Sequence, residues 1–224
     1  MRRFVKENSL SLFFLAIFLA AVAGQAIAGH QVFNQEQLAH DGEPVSLPRY
    51  LVTSHFGNAV MENWQSEYLQ FLLFAVATVW FVQRGSPESK PVEHAGAESD
   101  RRQQIGGWAG PGAPRWARLR GIRTALYSNS FLIVMLLVFL GSWFAQSVTG
   151  WTDFNAQQTA HGEQAVSWLS YVGSATYWEA TLQNWQSEFL AVGSFAVLTI
   201  YLRQRGSPES KPVGAPHKAT GVKG

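Results

Sequence analysis

The stretch from Leu10 to Ile27 reads LSLFFLAIFLAAVAGQAI, and the stretch from Phe131 to Val148 reads FLIVMLLVFLGSWFAQSV. Neither carries a charge. As a helix, each would rise about 27 Å at 1.5 Å per residue, close to the roughly 30 Å of a bilayer's hydrocarbon core. Within that core only a helix or a closed barrel satisfies its own backbone, and 18-residue apolar runs are far longer than barrel strands. The two stretches stand 121 positions apart, and that offset belongs to a longer identity. Residues 8–92 align with 129–213 without a gap, and 36 of the 85 positions are identical. One two-helix unit is written twice.

A second pair of apolar runs completes each unit, at about 64–82 and 185–202. The basic residues orient the chain. Arg2, Arg3 and Lys6 precede the first run, eight Lys and Arg lie from Arg84 to Arg123, and five lie from Arg203 to Lys223. The seventeenth, Arg49, is the exception. The loops 30–63 and 150–184 hold seven acids between them. The positive-inside rule puts both termini and the central segment in the cytoplasm and the two loops outside. The expected fold is an all-α membrane protein with four transmembrane helices, arranged as two tandem hairpin repeats of parallel topology in a four-helix bundle. Helical loops would cover its outer face. The expected division is 1–92 for the first repeat, 93–126 for a flexible basic linker rich in Gly and Pro, 127–213 for the second repeat, and 214–224 for a disordered tail. Arg2-Arg3 followed by an apolar run and Ala26-Ile27-Ala28 also fits a cleavable leader. The equivalent segment at Ser147-Val148-Thr149 lies deep in the chain, which favours a retained span.

With no cysteine, the chain has no disulfide framework, thiolate metal site or cysteine nucleophile. No Gly-rich phosphate loop, nucleophile elbow or His-Glu-x-x-His motif is present. No charge lies near the centre of any span, which argues against a midplane substrate or proton path. The expectation is therefore a non-enzymatic protein without cofactors. Its partners would be membrane lipid and either further copies of itself or other membrane proteins, and nucleic acid is not among them.

Three sets of residues stand out. Asn63-Trp64-Gln65-Ser66-Glu67 recurs as Asn184-Trp185-Gln186-Ser187-Glu188 at the outer entry of the second and fourth spans. The tryptophans suit the interfacial belt. Glu67 and Glu188, one turn further in, either join neighbouring helices through hydrogen bonds, with Gln25 and Gln146 as possible partners, or line the outer mouth of a small channel or transporter. Ala20 with Gly24, and Gly141 with Ala145, repeat the small-xxx-small spacing that lets helices approach closely in lipid. His40 and His161 are equivalent loop residues and the lesser candidates for a metal. The neighbouring acids Glu43 and Glu163 do not align, and capping of a helix end explains a histidine there equally well. Asn34 with Gln37, and Asn155 with Gln158, fit a capping box that would start a short helix ending near Gly42 and Gly162. Arg-Gly-Ser-Pro ends both second helices, with Gly85 and Gly206 suited to the left-handed C′ position.

The entry Trp185 to Leu190, the exit Gln204 to Lys211 and the segment Phe154 to His161 together resemble an uncharacterised bacterial domain-of-unknown-function family of small, internally duplicated four-helix membrane proteins. The resemblance covers nearly the whole chain except the linker and tail. It implies a bacterial inner-membrane protein with both termini cytoplasmic, and it supplies no activity or site.

Overall fold

A computed structural model describes residues 2–224. Among the described residues the ordered elements are all helical, with no β-strand. The α-helices in chain order are α1 (Arg2–Glu7), α2 (Ser9–Ala39), α3 (Leu47–Tyr50), α4 (Ser54–Trp80), α5 (Ile122–Ser128), α6 (Ser130–Ala160), α7 (Trp168–Val172) and α8 (Ala175–Tyr201), with short 3₁₀ turns at Val92–His94 and Gly106–Trp108. By length and composition, α2 and α6 are apolar enough to cross a membrane. At 27 residues each, α4 and α8 are also long, but polar side chains fill their first halves.

The same polar devices bound the helices at both places in the sequence. Asn8 and Asn129 break α1 from α2 and α5 from α6, each donating its side-chain amide to the carbonyl four residues back, Phe4 and Ala125, at 2.8 Å. At the far ends, α2 and α6 close in Schellman motifs. Gly42 N donates to Gln37 O at 2.7 Å, and Glu163 N donates to Gln158 O at 2.8 Å. The left-handed residue is Asp41 (φ 57°) in the first case and Gly162 (φ 75°) in the second. Asp tolerates that conformation better than most side chains.

No separate short helix starts at Asn34 or Asn155. Both lie inside 31-residue helices, so the capping-box expectation is corrected. Each asparagine instead clasps the returning loop. Val45 N donates to Asn34 Oδ1 at 2.8 Å while Asn34 Nδ2 donates to Val45 O at 3.0 Å. Asn155 and Val166 repeat both bonds at the same two distances. A third donor reaches each valine carbonyl: His30 Nε2 at 2.6 Å in one loop and Trp151 Nε1 at 2.8 Å in the other. A carbonyl only accepts, so His30 carries its proton on Nε2.

The chain divides into two compact units, Met1–Met61 with Phe144–Tyr177, and Glu62–Trp143 with Trp178–Gly224. Aromatic rings on glycines hold the first. Tyr50 is buried to 1% exposure beside Phe33 and Phe56. Tyr171 sits beside Phe154 and Tyr177 in the same way. Each hydroxyl covers a glycine, Gly29 and Gly150 respectively, leaving no room for a Cβ. In the second unit, Leu69 and Leu72 of α4 pack on Phe139 of α6, with Trp143 and Trp185 alongside.

The repeated exit segments are built alike in the second unit. The helices stop at Trp80 and Tyr201, so Gly85 (φ 89°) and Gly206 (φ 82°) are not C′ residues. They occupy the third position of a turn closed by Ser86 N to Gln83 O at 3.1 Å and Ser207 N to Gln204 O at 3.2 Å. Ser89 Oγ then accepts from Gln83 N at 2.7 Å, and Ser210 Oγ accepts from Gln204 N at 2.9 Å. The tail expected to be disordered bonds to these turns. Gly221 N donates to Ser86 O at 3.0 Å, and buried Lys211 donates to Gly85 O at 2.6 Å and His217 O at 2.7 Å. The linker likewise has fixed turns, with Thr124 donating to Trp116 O at 3.0 Å.

The glycine contacts are testable. Gly29→Ala should lower stability by about 1–3 kcal/mol, the usual cost of overfilling a packed site. The Tyr50 ring is hemmed in and cannot swing away. Adding Tyr50→Phe should return part of the loss, and a double-mutant cycle of thermal melts in detergent measures the coupling.

Candidate functional site

The repeated Asn-Trp-Gln-Ser-Glu segments meet in the second unit. Trp185 Nε1 donates to Gln65 Oε1 at 2.7 Å, and Gln65 is fully buried. Asn184 Nδ2 donates to Glu62 Oε1 at 2.8 Å. One copy of the motif is thus bonded to the other copy and to the residue just before it. Trp185 also packs against Trp143, ring centroids 5.8 Å apart. A lone amide in such a place would cost about 1–3 kcal/mol if left unpaired, so these bonds fix which residues face each other. Ser66 and Ser187 donate to carbonyls of their own helices, those of Asn63 and Asn184, both at 2.9 Å. Gln146 is buried with its Oε1 unpartnered.

Asn63, Trp64 and Glu67 face outward. Glu188 is half-buried and within electrostatic reach of Glu67. Gln65 and Glu62 are the two residues that receive these bonds. Gln65 was inside the repeated motif and available to find. Glu62 was hidden because its counterpart is Gln183.

The glycines of the small-residue pairs make no close contact, while Ala145 is half-buried. A Cβ added at Gly24 or Gly141 would meet open space, and Ala20 is exposed. Glycines in tight contact are instead Gly29 and Gly150, five and nine residues further along their helices.

His40 and His161 come together in the first unit. They are the C-cap residues of α2 and α6, and their rings meet edge to face with centroids 4.7 Å apart. They border a cavity of about 300 Å³ whose wall also includes Glu36, His55, Asp153 and Gln157. Asp153 lies within electrostatic reach of His55 and Glu36. Among the described residues no three His, Cys, Asp or Glu side chains converge as a metal-binding group.

The chain matches the domain of unknown function DUF6766 over residues 1–222. It belongs to that family. No curated protein and no solved structure matches it. The family description names no activity, so the residues of the chain itself carry any reading of what its sites do.

Glu62 offers a test of the motif contact. Burial raises its carboxyl above the usual range, and the bond from Asn184 only partly opposes this. A carboxyl raised in the folded state binds more protons there than in the unfolded chain, so stability falls as pH rises from the unfolded value through the folded one. Glu62→Gln keeps an acceptor for Asn184 and removes the charge. It should raise the melting temperature at pH 8 and leave it unchanged at pH 4, as followed by circular dichroism.

Proposed function

We propose that this is a non-enzymatic integral membrane protein of four spans, two tandem hairpins of parallel topology, that serves as a structural or accessory component and assembles through its helices. The expected setting is a bacterial inner membrane with both termini cytoplasmic. The observation that carries this reading is the contrast between two kinds of repeated residue. The polar entry motifs are bonded to each other, through Trp185 with Gln65 and Asn184 with Glu62. Of the small-residue pairs, Ala20, Gly24 and Gly141 are exposed and Ala145 is half-buried. In lipid there is no hydrophobic drive between helices, and small residues are where backbones pack closely. An exposed face of small residues on a membrane helix suits another helix, from a second copy or from another membrane protein.

The exposed side chains Leu10, Phe13, Phe14, Leu15 and Ile17 of α2 favour a lipid-facing helix. The segment Ala26-Ile27-Ala28 lies well inside α2, with Ala26 buried, which favours a retained span over a cleaved leader. Arginines 101, 115, 118 and 120 beside Trp108 and Trp116 suit the anionic inner leaflet.

Topology is open to a direct test because the chain lacks cysteine. Single cysteines at Gln35 and Gln164 should react with an impermeant maleimide on intact cells, whereas those at Ser99 and Ala215 should react only after permeabilisation. Assembly is tested by native mass spectrometry from nanodiscs together with affinity capture from membranes. The expected result is a complex that Gly24→Leu with Gly141→Leu disperses. A wild-type monomer that captures no partner defeats the reading.

A small channel or transporter is the second reading, and one observation favours it: exposed Glu67 and half-buried Glu188 sense each other's charge. If they line an outer mouth, Glu67→Gln with Glu188→Gln should abolish cation flux into liposomes while leaving assembly intact. Flux that the double variant leaves unchanged, or that the wild type does not show, excludes it.

A further inference from the structure

The segment that leads into α6 carries charge that the repeated frame does not use. Between residues 98 and 128 the basic side chains are Arg101, Arg102, Arg115, Arg118, Arg120 and Arg123, with no lysine. Against these six stand two acids, Glu98 and Asp100, for a net charge of +4. Glu98 is bonded to Lys90 at 3.2 Å. Among the described residues none of the six arginines forms a salt bridge. A guanidinium is a planar fork that matches two phosphate oxygens at once, whereas lysine is a point charge.

Solvation would account for exposed arginines on a loose linker, but this stretch is fixed. Gly106 N donates to Ala117 O at 2.8 Å, and Thr124 Oγ1 donates to Trp116 O at 3.0 Å. Residues 100–108 are thereby held against 116–124, and they enclose a cavity of about 820 Å³. Arg120 borders it, with Nε 3.8 Å from where a Cβ on Gly106 would stand. Trp108 forms another wall and carries the Arg101 guanidinium 5.2 Å from its ring centroid. A guanidinium stacked on a ring still presents its in-plane N–H donors. Asp100 and Ser128 also line the cavity, and each can accept a hydrogen bond from a hydroxyl.

The place of the cavity in the chain favours a lipid over a soluble anion. Ser128 stands two residues before the start of α6, a helix apolar and long enough to cross a membrane. Trp108, Trp116, Ile122 and Leu126 are exposed in the same segment. Exposed apolar side chains next to arginines fit the level where headgroups meet acyl chains, and a free phosphate in water would have no use for them.

We propose that this cavity binds the headgroup of an anionic glycerophospholipid with a polyol head, Arg120 holding the phosphate and Asp100 with Ser128 taking the headgroup hydroxyls. Arg101, held on Trp108, adds to the positive field at the rim. A lipid bound there fixes the linker at the level where α6 enters the bilayer. The proposal rests on the reading of α6 as a membrane span, and the cavity lies wholly within the second unit.

The experiment uses the full chain in mild detergent, with binding of phosphatidylglycerol, phosphatidylethanolamine and phosphatidylcholine followed by native mass spectrometry. One phosphatidylglycerol per chain should bind at least about tenfold more tightly than either other lipid, the worth of one or two basic residues near an anionic surface. Arg120→Gln should weaken it by about tenfold, the worth of one hydrogen bond to a charged group. Arg120→Lys should restore only part of the loss, because it keeps the charge without the fork. Arg205→Gln removes the same charge from the exit of the second repeat and should leave the preference in place. Equal binding of the three lipids overturns the proposal, as does a preference that Arg120→Gln leaves intact. Full competition by soluble glycerol phosphate also overturns it and assigns the cavity to a free phosphate ester. Should Arg120→Gln fail to fold, the wild-type comparison of the lipids and glycerol phosphate decides alone. Carbonate extraction of membranes tests the span separately: release of the chain defeats the span reading, whereas a retained chain without lipid preference defeats this proposal alone.

Discussion

The two-bond clasp between an asparagine side chain and a valine backbone governs much of the first unit. Asn34 with Val45 and Asn155 with Val166 each satisfy both peptide groups of a residue that has left its helix. Without that clasp, the loop after each Schellman turn has no fixed direction. With it, the chain is brought back along the helix it has just left, which sets Tyr50 over Gly29 and Tyr171 over Gly150. The tyrosines in turn collect the aromatic side chains that start the next long helix, Phe56 and Tyr177. A buried peptide group left unpaired costs about as much as a hydrogen bond is worth, so the clasp is a constraint as much as an attraction.

The helical class was legible because it rests on hydropathy and length, which are properties of a stretch and not of one residue. The ends of the second helices were legible for a similar reason. Gly85 and Gly206 do take positive φ, although five residues beyond the helix and not at its C′ position. What misled was local pattern without context. Asn34 and Gln37 match a capping box, yet an asparagine inside a long helix can turn its amide outward to a loop, and only the loop's path decides which. The same limit hid Glu62. It is not identical between the halves, but Gln183 and Glu62 share the accepting carbonyl oxygen that the contact with Asn184 needs. Spacing also pointed to Gly24 and Gly141 as contact glycines, whereas the contacts fall at Gly29 and Gly150. Whether a glycine is needed depends on what approaches it, here the far end of a tyrosine about twenty residues later.

Much of the identity between the halves now has a physical cause. Asn8 and Asn129 break helices. Asn34, Val45, Tyr50 and Gly29, with their counterparts, build the loop. Gly85, Ser86 and Ser89, with theirs, build the turn below the second helix. The shared Glu-Ser-Lys-Pro-Val run falls partly into this class: each serine accepts from a glutamine six residues earlier, and each lysine reaches forward to carbonyls, Gly96 O for Lys90 and His217 O for Lys211. A turn that folds on itself in this way needs no docked partner to explain its composition.

The residues left over after this sorting are few, and they are the better guide to function. Gln146 is buried with an unpartnered oxygen, and its counterpart Gln25 is half-buried. Glu67 is exposed and its counterpart Glu188 is half-buried. His40 and His161 touch, although either alone would cap its helix. None of these identities is required by the helix ends, the clasps or the turns. The repetition therefore separates into a frame, whose identical residues satisfy one another, and a small remainder at Glu67, Glu188, His40 and His161 that the frame does not use.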